Sequence, residues 1–141
     1  MEYKVKKNDN VIVVRMGTGC DLFTALVDVC SGHGVRSGII VAGIGQLKDP
    51  ELGYMKVDRY LKKKFTETME LLSLQGSIAE EQNSRDLSIH AHAVLSDENF
   101  EVYGGHLFGA TVGATAEVTI LHHPGMKREV LPSGLKLLRF E

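Results

Sequence analysis

The chain has 141 residues, a length typical of one domain, and we expect residues 1–141 to form a single domain. A formal net charge of -2 argues against a stand-alone nucleic-acid binder, because such proteins usually carry a basic surface, and 43% hydrophobic residues are typical of a globular protein. The charged N-terminus predicts no signal peptide and no apolar run is long enough to span a membrane, so we expect a cytoplasmic protein.

The first third of the chain predicts a strand, a helix and a second strand. Residues 11–16 form a β-branched run that is typical of a buried strand. Asp21 can cap a helix whose apolar residues recur along one face, namely Leu22, Ala25, Leu26, Val29 and Cys30. Gly32 and Gly34 predict the end of this helix, with His33 near its negative pole. Residues 37–45 predict a second buried strand.

From residue 52 onward, alternating polarity predicts strands separated by turns. The predicted strands cover residues 52–57, 65–78, 87–95, 100–103, 111–122 and 135–140, with a polar loop at 80–85. The basic run from Arg59 to Lys64 is interpreted as a solvated approach to a strand or a turn, and alternatively as a DNA-binding patch. We therefore expect an α+β fold in which one main helix packs on a mostly antiparallel, strongly curved, barrel-like sheet.

Three histidines give the strongest functional signal. His90 and His92 are two residues apart on a predicted strand, so their side chains point to one face. If residues 97–99 form the hairpin loop, His90 lies opposite His106 and His92 lies opposite Gly104. Directly opposed residues share a face of the sheet, so the three imidazoles are expected to converge.

Three converging imidazoles predict a metal site with an open coordination position. Catalytic zinc typically has three protein ligands, whereas structural zinc has four. Zn2+ is the expected metal because neutral imidazoles suit it, with iron, nickel or manganese as alternatives. Gly104 and Gly105 either leave open space beside the metal or form a β-bulge that shifts His106. Without a metal, the same pattern is a polar strand face turned toward solvent.

Two carboxylates are candidates for general acid–base catalysis at this site. Glu70 lies within the apolar stretch from residue 69 to residue 72, and Glu117 lies between Ala116 and Val118. A carboxylate in such a stretch either points outward from the sheet or is retained for chemistry. The sequence leaves both interpretations open.

Several motifs together resemble the plants-and-prokaryotes conserved (PPC) domain, over essentially the whole chain. They are Asp21-Leu22, Gly43-Ile44-Gly45, Leu52-Gly53-Tyr54, the stretch from Met69 to Ser77, His90-Ala91-His92, Gly104-Gly105-His106-Leu107 and Thr115-Ala116-Glu117-Val118. The resemblance implies an α+β fold that assembles as a homotrimer, with a metal on His90, His92 and His106 near a subunit boundary. It also suggests kinship with acetolactate decarboxylase, which shares the fold and holds zinc with a similar set of histidines.

The histidines and the resemblance leave three functions open. The first is a metalloprotein whose zinc site binds or transforms a small oxygen-rich molecule, in its most specific form as a lyase or decarboxylase. The second is an oligomeric interaction module, associated with transcription, in which the metal is structural. The third is DNA binding through residues 59–64. In plants the domain accompanies AT-hook segments, whose Arg-Gly-Arg-Pro core this sequence lacks.

Overall fold

A computed structural model describes residues 2–141 of the chain. Its elements are, in chain order, β1 (Tyr3–Asn8), β2 (Val11–Gly17), α1 (Leu22–Gly32), β3 (Ser37–Lys56), β4 (Arg59–Lys64), β5 (Thr68–Glu81), β6 (Leu87–Ser96), β7 (Val102–His122), β8 (Met126–Val130) and β9 (Lys136–Phe140). Among the described residues, no helix combines the length and the apolar character that a transmembrane span requires.

The strands form one mixed sheet in which four long strands close a ring of pairings. β7 pairs with β3, β3 with β5, β5 with β6, and β6 again with β7. β1 and β2 extend this ring from β7, β4 extends it from β3, and β8 and β9 extend it from β5. Every pair is antiparallel except β5 with β8. The predicted combination of one helix and a mostly antiparallel sheet is confirmed, while barrel-like closure of the whole sheet stays a prediction.

The helix α1 forms as its sequence predicts. The Asp21 side chain accepts a hydrogen bond from the Thr24 backbone N–H at 3.0 Å, which satisfies one of the free donors of the first turn. All five residues of the predicted apolar face are buried, and they pack against strands β2, β6 and β7. At the other end, the His33 ring nitrogen Nδ1 lies 2.9 Å from the Val29 carbonyl oxygen.

Several predicted strands are parts of longer ones. Residues 37–45 and 52–56 both belong to β3, and Asp49 and Pro50 lie where one edge of β3 changes its partner from β5 to β4. Proline has no backbone N–H, so it is tolerated where the pairing changes. Residues 102–103 and 111–122 likewise belong to the single strand β7.

Two loop predictions are wrong. Residues 59–64 form the strand β4 instead of a turn, because they pair with residues 51–56 of β3. The predicted loop at 80–85 begins later, since β5 continues to Glu81. Glu80 is buried, and its carboxylate accepts a hydrogen bond from Arg36 Nε at 2.7 Å. This ion pair explains how a charged residue can occupy a buried strand position.

Candidate metal centre

The three predicted histidines lie together on one face of β6 and β7. His106 is directly opposite His92 in the β6–β7 pairing. The ring centroid of His90 is 5.2 Å from those of His92 and His106, which are themselves 5.7 Å apart. One nitrogen from each ring lies within 4.8 Å of the nitrogens of the other two. The expected convergence of the three side chains is therefore observed, while their role as metal ligands stays a prediction.

The predicted register of this hairpin is wrong by two residues. The loop comprises residues 98–100, because the Asp97 backbone N–H donates to the Glu101 carbonyl oxygen at 3.0 Å. Phe100 closes the loop in a left-handed conformation, with a φ of 64°. A shift by two residues leaves every side chain on its original face, so the histidines still converge. Pairing is continuous through Gly104 and Gly105, so the bulge considered for these glycines is absent from the hairpin.

The position of β6 depends on a close approach of β5. Gly76 lies opposite Ala91, and a Cβ atom at Gly76 would overlap the His90 carbonyl oxygen. Ala91 and Ala93 are buried, whereas His90 and His92 are exposed on the opposite face. The small buried alanines therefore allow β6 to pack closely on the core side, and strand alternation presents the imidazoles together on the opposite surface.

An aromatic wall borders the histidines on the β4 side of the site. The ring of Phe108 is 4.5 Å from that of His106, and the Tyr60 ring packs edge-on against Phe108 at 4.9 Å. Lys62 places its Nζ 4.1 Å from the centre of the Phe108 ring, as a cation–π contact. Gly53 lies between His106 and Lys62 in the sheet, so no β3 side chain separates them.

A second cation lies on the opposite side of the site. Arg128 of β8 is only 4% exposed, and its guanidinium donates a hydrogen bond to the hydroxyl of Ser77, the residue directly opposite His90. The Nε atom of Arg128 is buried and has no hydrogen-bond partner among the described residues. A buried donor without an acceptor is costly, and such atoms commonly mark an ion or ligand site.

The surroundings of the site favour neutral histidines. Burial, together with charge repulsion from the neighbouring imidazoles and Lys62, lowers the pKa of His106 to about 4. The pKa of His90 is also below its ordinary value, because its ring is partly desolvated and because Arg128 lies nearby. At neutral pH both imidazoles therefore keep a free lone pair for a metal.

The donor set fits a divalent transition metal. A tetrahedral ion with Zn–N bonds of about 2.0–2.1 Å needs ligand nitrogens roughly 3.3 Å apart. The nitrogens lie within 4.8 Å of one another, so each pair has to approach by at most about 1.5 Å. His90 and His92 are exposed and His106 is half-buried, so small rotations about their side-chain bonds are sterically feasible. Three imidazoles without a fourth protein ligand are typical of catalytic zinc sites.

The sequence profile of the Plants and Prokaryotes Conserved (PCC) domain matches residues 3–124. The chain belongs to this family. PCC and PPC abbreviate the same name, so the predicted family membership is confirmed. The matched segment contains all three histidines and ends before β8, so Arg128 lies outside it.

Solved structures of similar proteins share the fold of this PCC domain. A candidate DNA-binding protein from Bacteroides thetaiotaomicron is 27% identical with a TM-score of 0.88, over 98% of this chain and 97% of the other. A PPC protein from Pyrococcus horikoshii is 26% identical with a TM-score of 0.81, over 99% and 96%. A metal-containing protein from Archaeoglobus fulgidus is 30% identical with a TM-score of 0.80, over 98% and 96%.

One curated protein is related over part of its length. The bifunctional protein GlmU from a Synechococcus strain is 25% identical over 112 residues, which are 79% of this chain. The match spans only 16% of that much longer protein.

The structure does not bring the two candidate carboxylates into the histidine group of the PCC domain. Glu70 is exposed on β5 opposite Ser96, four residues along β6 from His92, which corresponds to roughly 13 Å of strand. Glu117 is exposed on β7 and pairs with Arg15 of β2. A catalytic role for Glu70 or Glu117 stays a prediction.

Sequence reasoning missed the residues that border the histidines. In the sequence, Lys62 stands out only as part of a basic run, and Tyr60 and Phe108 belong to no recognisable motif. Alternation along β4 and β7 was the available signal, because Tyr60 and Lys62 share a face, as do His106 and Phe108. Arg128 gave no local signal, since it reaches the site through the parallel pairing of β8 with β5.

Proposed function

We propose that this PCC domain is a metalloprotein whose three-histidine site holds a divalent metal, with Zn2+ as the first candidate, and through it binds or transforms a small oxygen-rich molecule. The observation that carries the proposal is the group of three imidazole nitrogens within 4.8 Å of one another, in which no carboxylate or thiolate takes part. The Archaeoglobus relative described as metal-containing supports it.

The chemistry follows from the open coordination position. A bound divalent metal would polarise a carbonyl or carboxylate oxygen as a Lewis acid. The chain contributes neutral ligands, because burial holds the pKa of His106 near 4. Tyr60 and Phe108 border His106 with aromatic ring surface on one side of the site. A lyase or decarboxylase-like reaction is the most specific form of the proposal, with Glu70 or Glu117 as the candidates for proton transfer.

We also propose self-association, as a homotrimer. An outer face of the sheet exposes the apolar side chains of Val13 and Ile44 beside the charged pair Arg15 and Glu117. Exposed apolar side chains grouped on one sheet face are typical of an interaction surface. Light scattering coupled to size-exclusion chromatography measures the mass directly, and a mass of one chain would contradict this part of the proposal.

Elemental analysis of the purified protein tests the metal site. We expect one equivalent of metal per chain in the wild type, and its loss in the double variant His90→Ala/His106→Ala. The double variant His122→Ala/His123→Ala is the matched control, because it removes two histidines outside the group and should keep the metal. Stoichiometric metal in the first double variant would show that the proposed ligand set is wrong.

Chelation separates a ligand-binding metal from a structural one. If the metal serves the binding of a small molecule, its removal should leave the oligomer folded and of unchanged mass. Dissociation or melting on chelation would instead favour an interaction module with a structural metal, such as an assembly factor associated with transcription.

Direct DNA binding is a second candidate, because the Bacteroides relative is described as a candidate DNA-binding protein. The basic residues of β4 do not form one continuous surface, since Lys62 contacts Phe108 and Lys63 contacts Phe65 on the opposite face. Duplex binding that weakens with salt and with the reversal Lys63→Glu/Lys64→Glu would support this candidate. No binding at low salt would exclude it.

A further inference from the structure

Two cations lie beside the histidine group, and neither is neutralised by a carboxylate. Among the described residues, no carboxylate oxygen lies within 4.0 Å of the charged nitrogens of Lys62 or Arg128. Positive charges weaken the binding of a metal cation by repulsion. Their presence on two sides of a cation site is therefore unfavourable unless an anion also binds there.

Lys62 is held where it can reach such an anion. Its Nζ is 4.1 Å from the centre of the Phe108 ring, and that ring is 4.5 Å from the His106 ring. The side chain is exposed, so its ammonium remains available to a ligand from solvent. Gly53 places no side chain between Lys62 and His106, and the Phe108 ring packs over it, so Lys62 approaches the site across the face of that ring.

Arg128 lies on the opposite side of the histidine group from Lys62. Its guanidinium is buried and donates a hydrogen bond to the hydroxyl of Ser77, the residue directly opposite His90. Desolvating a charge costs several kcal/mol unless another charge compensates it. An anion held at the histidines would supply that compensation through the low-dielectric interior without direct contact.

The aromatic wall favours an anion with a carbon skeleton. Tyr60 and Phe108 pack edge to face and border His106, which gives a ligand an apolar surface beside the charged groups. Inorganic anions gain little from such a surface, whereas the methylene groups of an organic acid can bury against it.

We propose that the histidine site recognises a small organic carboxylate, for which Lys62 is the direct charge partner and Arg128 the buried one, with Tyr60 and Phe108 contacting the carbon skeleton. A metal held by the three histidines would take one carboxylate, and Lys62 would receive the other end of the molecule. This inference rests on the proposed function, because the metal provides the central contact. It adds the class of ligand and the residues that select it.

Titration of Co2+-loaded protein with succinate tests the inference. Visible absorption of Co2+ reports a change at the metal, and calorimetry gives the affinity for succinate. Lys62→Gln is compared with Lys63→Gln, which also removes a lysine of β4 that lies over an aromatic ring, that of Phe65, but on the opposite face. We expect Lys62→Gln to weaken succinate binding about tenfold, as for loss of one charge-assisted contact, and Lys63→Gln to match the wild type.

In contrast to its effect on succinate binding, Lys62→Gln should not weaken the binding of the metal itself. Removing the Lys62 charge removes a repulsion, so Lys62→Gln should bind Co2+ as tightly as the wild type or about twofold more tightly. If Lys62 had only a structural role, Lys62→Gln would weaken the binding of Co2+ as well as the binding of succinate. Arg128→Lys should keep most of the succinate affinity and Arg128→Met should lose it, with circular dichroism confirming that each variant is folded.

The outcomes separate the two proposals. Full metal uptake combined with equal succinate affinity in the two glutamine variants overturns the carboxylate inference and leaves the proposed function intact. Failure of metal-loaded wild type to bind succinate at millimolar concentration, or equal binding of the neutral succinamide, also overturns it. No metal uptake by the wild type overturns both.

Discussion

Replacing Gly53 by alanine should disturb the aromatic wall beside the histidines. A Cβ atom at this position would lie 3.2 Å from Cδ2 and Cζ of the Phe108 ring and closer still to Cε2. Carbon atoms pack at about 3.5–4.0 Å, so the ring must move by roughly 1 Å or more. Forced repacking of this kind costs about 1–3 kcal/mol. Displacement of the ring also disturbs the cation–π contact that Lys62 makes with its face.

Urea unfolding of Gly53→Ala and Gly109→Ala measures this cost. Gly109 is the matched control, because a Cβ atom there meets nothing within 4 Å. We expect Gly53→Ala to lower the free energy of unfolding by about 1–3 kcal/mol, and Gly109→Ala to change it by less than about 0.5 kcal/mol. Adding Phe108→Leu to Gly53→Ala should recover part of the loss. Equal stabilities of the two alanine variants would refute the steric argument.

Three further predictions concern the metal, the hairpin and pH. Metal at one hundred times its Kd should stabilise the wild type by about 2.7 kcal/mol in thermal unfolding, and His90→Ala/His106→Ala should show no such gain. Asp97→Ala should lower the free energy of unfolding by about 1–2 kcal/mol, because Asp97 Oδ1 accepts the backbone N–H groups of Asn99 and Glu101 at 2.9 and 3.0 Å, while Asp97→Asn should lose less. In the metal-free protein the pKa of His106 is about 4, below its ordinary value of 6.5, so the unfolded state binds more protons and stability falls as the pH drops from 6.5 to 4. Between pH 6.5 and pH 4 the wild type should lose about 1–2 kcal/mol more unfolding free energy than His106→Gln, after a reduction for solvent screening of this half-buried ring. Urea unfolding at both pH values measures the difference.

Each of these predictions has a contradicting result. A thermal gain with metal in the double histidine variant would move the metal away from the proposed site. Equal stability of Asp97→Ala and the wild type would mean that the side chain does not hold the loop. Parallel pH profiles for the wild type and His106→Gln would mean that the His106 ring is not desolvated in the folded protein.

The histidine group was predictable because it depends on local pairing. His90, His92 and His106 come from one hairpin, and an error of two residues in the register leaves their faces unchanged. The error itself has a physical cause. Left-handed loop positions usually carry glycine or asparagine, whereas Phe100 occupies that conformation here, so turn preferences do not indicate the observed loop.

The border of the site was not predictable, because it depends on pairing between distant parts of the chain. Lys62 reaches His106 only when β4 pairs with β3 and β3 pairs with β7. Arg128 reaches His90 only through the parallel pairing of β8 with β5. The alternation of side chains indicates which residues share a face of one strand, but it does not indicate which strands are neighbours.

The hairpin of β8 and β9 lies beyond the segment that the family profile covers, yet it supplies the buried guanidinium. The histidines and this cation therefore come from two different hairpins of the chain. If both proposals hold, substitutions in β8 would change the selectivity for the acid while the three histidines stay in place.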